Sequence, residues 1–183
     1  MIKCRGMKKF LKWLLSLFTK QVTYEKPITY GTMITVNSNV KSTKYDYSDI
    51  VKVVLEKELG INNILLNIID SPAILDRLSP EGIEYQAILV KISLHAYALY
   101  VRKNTFTPTI LCHEMKHLDQ YESNKLQLLP NKSYKWLGKE YPADYPYNSR
   151  PWEKEAFVAQ TKLWKGYKTF KKNQKNENSK TGI

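Results

Sequence analysis

The chain has 183 residues, a net charge of +12, 43% hydrophobic residues and 12% aromatics. That is one domain with a real core, too short for two ordinary ones and too apolar for a disordered chain. No apolar run reaches the ~18 residues of a membrane span, and two cysteines, Cys4 and Cys112, exclude a disulfide-rich scaffold or a four-cysteine zinc site.

The charge sits at the ends. Residues 1–26 carry seven Lys/Arg and one Glu, and residues 165–183 carry six Lys and one Glu; the stretch between is nearly neutral. A nucleic-acid-binding domain concentrates its charge on a folded face, so this distribution argues against one. Within the first segment, residues 7–20 place Phe10, Leu11, Trp13, Leu14, Leu15, Leu17 and Phe18 on one helical arc, with lysines, Ser16 and Thr19 on the other. This cationic amphipathic helix suits an anionic membrane surface, an export signal or packing on the domain. Lys12 interrupts the apolar stretch and no small-x-small cleavage site follows it, which weighs against export.

Residues 28–40 are rich in β-branched residues and predict a strand or hairpin. Ser48 is the expected N-cap of a helix over 49–59 with Ile50, Val53 and Val54 inward and Gly60 just past its end. Residues 61–69 predict a buried strand ended by Asp70-Ser71-Pro72. Strands are also predicted over 83–90 and 93–101, the second apolar on both faces. Thr107 and Pro108 open a helix reaching about Tyr121. Residues 122–148 read as irregular, with a hairpin over 134–141. A last helix, capped by Ser149, runs from Trp152 to about Phe170, followed by a disordered basic tail over 171–183. The organisation expected is therefore an N-terminal helix within 1–26, a domain over 27–170, and the tail.

The helix from Pro108 carries His113-Glu114-Met115-Lys116-His117. Residues four apart share a helical face, so two imidazoles here can grip one Zn²⁺. Glu114 stands beside them, placed to act as general base on water without binding the ion. Catalytic zinc sites keep three protein ligands and one open position. Glu153 and Glu155 are the candidates for the third ligand. They point about 200° apart around the last helix, so only one can face the metal. Glu153 shares its face with Ala156, Phe157 and Gln160 and is favoured. His95, on a predicted strand, is the remaining histidine and reads as a core or substrate-edge residue. Cys112 faces away from Glu114 and His117 and reads as a buried apolar residue. Tyr141, Tyr145, Tyr147, His95 and Arg150 are candidates to bind substrate or a developing oxyanion, with Arg150 expected to pair with Glu153 or Glu155.

The H-E-x-x-H helix after an apolar strand, followed by a helix reading Glu-x-x-Ala at Glu153–Ala156, resembles the gluzincin class of zinc metallopeptidases. Minigluzincins and SprT-like domains are similar in size. Trp136-x-Gly138-x-x-Tyr141, then Tyr147-x-x-Arg150-Pro151-Trp152-Glu153-x-Glu155-Ala156, is similar to a group of metallopeptidases of bacteriophages and Bacteroidetes-type bacteria. The resemblance spans about residues 90–160. It implies an α+β, zincin-like fold, with a small mixed sheet, an active-site helix and a glutamate-bearing helix. It also implies Glu153 as third ligand, strand 93–101 as the edge that aligns substrate, and a zinc-dependent peptidase acting on a peptide or protein. The chain departs from the pattern at Phe157, where an acid or amide often supports a metal-bound histidine. Asp119 or Asp144 could substitute for it. That departure leaves a second reading open, a zinc-stabilised binding or structural module of a virion or membrane without turnover.

Overall fold

The computed structural model describes residues 31–40, 42–79 and 84–180. The cationic helix expected over 7–20, Cys4 and the first residues of the strand expected from Ile28 lie outside these. Among the described residues the fold is mixed α+β, with four helices and two small sheets. None of these helices is long and apolar enough to cross a membrane.

The first sheet contains β1 (Met33–Val36), β2 (Leu65–Asp70), β3 (Ala87–Ser93) and β4 (Ala96–Val101), in the order β1-β2-β4-β3. β1 and β2 are parallel, β2 and β4 are parallel, and β3 runs antiparallel to β4. β4 alternates between two cores. Tyr97, Leu99 and Val101 enter the main core, and Ala98 and Tyr100 enter a smaller one on the opposite face. Burial on both faces is what its apolar pattern predicts, and it also makes β4 a central strand. The edge beside the helix that opens at Pro108 is β3, correcting the expectation that residues 93–101 form it. Leu94 and His95 belong to the turn between the two strands, where His95 takes φ +59°.

Helix α1 (Tyr47–Val53) starts two residues earlier than expected. Its N-cap is Asp46, whose side chain accepts a hydrogen bond from the Asp49 amide, in place of Ser48. The helix passes into a π-turn over Val54–Glu58, and Gly60 supplies the positive φ that ends it. Helix α2 (Pro72–Leu78) occupies a stretch read only as a strand terminator. It lays Leu75 over Ala98 and Tyr100, closing the smaller core.

Helix α3 (Pro108–Glu122) begins as expected, with the Thr107 side chain accepting from the Ile110 amide and Pro108 in the first turn. Leu111, Met115 and Leu118 follow an i, i+4, i+7 spacing and are fully buried in the main core. Each such burial contributes about 1.5–3 kcal/mol. This stripe fixes the rotation of α3, so the stripe at 113, 117 and 120 faces the last helix.

The second sheet is a three-stranded antiparallel meander of β5 (Leu126–Leu128), β6 (Tyr134–Trp136) and β7 (Lys139–Tyr141). The hairpin expected over 134–141 is present; Leu137 and Gly138 both have positive φ, as a two-residue primed turn requires. β5 lies in the segment expected to be irregular. This sheet clasps Trp152, with the rings of Tyr134, Trp136 and Tyr141 at 5.0, 6.4 and 5.4 Å.

Trp152 lies in the first turn of α4 (Pro151–Lys180), which Pro151 opens after a 3-10 turn over Tyr147–Ser149. Ser149 sits in that turn, not at the helix cap. Leu163, Trp164 and Tyr167 pack on the main core, and the Tyr167 hydroxyl donates to Asp49 at 2.7 Å. The helix continues through Lys180, ten residues past its expected end, so residues 171–180 are helical and the expected disordered tail is corrected there. This exposed extension lacks an apolar stripe but also lacks Pro and Gly, and its Lys, Gln and Glu residues favour helix once it is nucleated.

Candidate metal centre

His113 and His117 stand one turn apart on the face of α3 turned toward α4. Their Nε2 atoms approach to 3.1 Å. Glu153 enters from the first turn of α4, with Oε2 at 3.3 Å from each Nε2. All three residues are buried, and their ligand atoms lie within 4.8 Å of one another. The packed Trp152 next to Glu153 fixes where that carboxylate enters.

The rest of the site sets the protonation pattern. The His117 Nδ1–H donates to Gln120 Oε1 at 2.8 Å, which leaves Nε2 turned toward Glu153. The Gln120 amide in turn donates to the Trp152 carbonyl at 3.0 Å and to Glu155 Oε2 at 2.8 Å. With that proton committed to Gln120, atoms bearing lone pairs converge on one point. A shared proton or a cation is what makes such an approach favourable. Two donors about 2.0–2.1 Å from one ion at tetrahedral angles lie about 3.3–3.4 Å apart, close to the spacings observed. His113, His117 and Glu153 can therefore hold a single metal ion.

Glu155 does not join them. It is tied to Gln120, Lys116 (3.3 Å) and Lys125 (3.7 Å). Burial works against its charge, but Gln120 and Lys116 keep its carboxyl below the usual range. The expected supports for the histidines are also corrected. Asp119 pairs with Lys116 at 2.7 Å, Asp144 is exposed, and Gln120 holds His117. His113 Nδ1 is buried without a hydrogen-bond partner among the described residues. The Phe157 ring packs against the His113 imidazole with centroids 4.7 Å apart. Replacing Gln120 by leucine is expected to lower metal affinity about 10–100-fold with all three ligands intact, measured by competition with a chromogenic chelator.

Protons compete with metal here. Burial disfavours a charged His117, but the hydrogen bond and charge of Glu153, then Glu114 and Gln120, raise its pKa to about 9. The hydrogen bonds of His113 and His117, and the charge of His117, hold Glu153 well below the usual carboxylate range despite its burial. The stabilisation from protonated His117 is complete below its unfolded value near 6.5 and is lost as pH rises through about 9. Zinc added to metal-free protein at about pH 7.5 should thus displace close to one proton per ion, and this release should vanish near about pH 10. A pH-indicator titration reads it; a release that does not change with pH contradicts the assignment.

A cavity of about 100 Å³ opens beside the cluster, lined by His113, Glu114, His117, Tyr147, Arg150 and Glu153 together with edge strand β3. Glu114 is buried here. Burial raises its pKa, against the nearby histidines and a hydrogen bond from the Leu89 main chain. Burial and the nearby Glu153 carboxylate push the Tyr147 phenol's pKa up.

The other sequence candidates take other partners. His95 bonds Glu122 from the exposed β3–β4 turn. Tyr141 and Tyr145 pack on each other with ring centroids 5.0 Å apart. Arg150 forms no ion pair with Glu153 or Glu155. It lies between the rings of Tyr134, Tyr147 and Trp152. Cys112 is fully buried away from the cluster, and burial raises its pKa to about 12, leaving an inert thiol. Gln120 and Tyr85, which also lines the cavity, carry no sequence signal of their own, although Gln120 lies three residues after His117 on the same face.

No protein-family model, curated protein or solved structure matches this chain.

Proposed function

We propose that the chain is a zinc-dependent peptidase with a zincin-like, gluzincin-type site. The observation that carries this reading is the convergence of His113, His117 and Glu153 beside a buried Glu114 on one cavity wall. Two imidazoles and a carboxylate are the donor set of a catalytic zinc with an open position. Zinc held there would supply Lewis acidity and make water a nucleophile near neutral pH.

The chain's own groups do the rest. Glu114 takes the proton of the attacking water and returns it to the leaving amine. Its raised pKa suits it to both steps. An extended peptide aligns on the outer edge of β3, which pairs only with β4 among the described residues. Tyr147 keeps its proton and donates to the oxygen on which charge develops.

A peptide-library digest followed by mass spectrometry tests this. Zinc-loaded protein is expected to cut a defined subset, a chelator to stop it, and restored zinc to restart it. A zinc-stabilised module without turnover is the second reading, favoured by the unsupported Nδ1 of His113. It predicts bound zinc, a higher melting temperature and no cut peptide.

A further inference from the structure

We infer that Arg150 is a specificity-determining residue that makes the cavity a receptor for a carboxylate on the substrate. This deepens the peptidase reading and rests on it. Arg150 is only 8% exposed, yet it lines the cavity. Among the described residues no carboxylate lies within ion-pair distance of its guanidinium. Its Nε donates to the Tyr145 carbonyl at 3.0 Å, and Tyr85 lines the same cavity. Both groups are neutral. The rings of Tyr134, Tyr147 and Trp152 hold the group at 5.3–5.8 Å without cancelling its charge.

A buried cation is normally paired. This one is kept in place by neutral contacts, and an entering carboxylate would find a planar fork suited to two parallel hydrogen bonds. The charge balance agrees. Glu114 and Glu153 offset a divalent ion, and Arg150 then leaves one positive charge in excess in the cavity. The carboxylate would come from the end of a peptide or from an acidic side chain. A terminal carboxylate and an Asp or Glu side chain present the same chemistry.

Binding to zinc-loaded Glu114→Gln protein, followed by calorimetry, separates the sources and does not require turnover. The probes are acetyl-trialanine as free acid, the same peptide as amide, and an amidated version carrying one Glu. The free acid or the Glu peptide is expected to bind about ten-fold or more tightly than the plain amide. Preference for the free acid identifies the chain terminus as the carboxylate source; preference for the Glu peptide identifies the side chain. Arg150→Met should abolish the difference and Arg150→Lys should retain part of it. Equal affinities for the three probes, no binding of any, or a preference that survives in folded Arg150→Met overturns the inference. Parent protein that cuts peptides with no carboxylate preference sinks the inference alone. A carboxylate preference in binding with no cleavage by the parent sinks the peptidase reading alone.

Discussion

Glu153→Ala is expected to strip the protein of its metal, and Glu155→Ala to leave it loaded. Only the first removes a member of the His113–His117–Glu153 cluster. Glu153 Oε2 is equidistant from the two imidazole nitrogens, whereas Glu155 is bound to Gln120, Lys116 and Lys125. After reconstitution and desalting, Glu153→Ala should retain far less than one zinc per chain. Glu155→Ala should retain about one, with affinity lowered no more than about ten-fold, because it frees Gln120 without deleting it. Elemental analysis of both variants beside the parent decides the ligand, and a reversed result would move the site to the other face of the helix.

The second large effect falls on turnover. Glu114→Gln keeps the size and burial of the side chain but cannot accept a proton from water. Zinc content and thermal stability should match the parent, since Glu114 is outside the ligand cluster. Peptide hydrolysis should fall by about a hundred- to ten-thousand-fold, as expected for loss of a general base. A variant that cleaves as fast as the parent while holding its zinc removes Glu114 from the mechanism.

The parts of this site readable from sequence are those set by local spacing. Thr107 and Pro108 mark the start of α3, and the interval from His113 to His117 is one helical turn in any context. The facing argument for Glu153 over Glu155 works because the first turn of α4 is regular and its inner side is apolar. What was not legible depends on distant partners. β4 is apolar on both faces, which announces burial but not which neighbours flank it; its parallel partner β2 comes from a separate part of the chain. Helix α2 spans only Pro72–Leu78 and buries Leu75 alone, too little for a helical period to show. Gln120 is an ordinary amide until Trp152 and Glu155 arrive from the facing helix. Arg150 owes its setting to rings as far back as Tyr134, and a charge beside two glutamates reads more naturally as an ion pair. The exposed end of α4 follows from propensity alone, where the absence of an apolar stripe suggested no helix.

The account stands on one ion shared by two histidines and a glutamate. X-ray absorption spectroscopy of the zinc-loaded protein tests that most directly. The prediction is one zinc per chain, with scattering from two imidazoles and a carboxylate oxygen in the shell at about 2.0–2.2 Å, and with one imidazole lost in His117→Ala. A spectrum with no imidazole scattering, or one unchanged by that substitution, contradicts it.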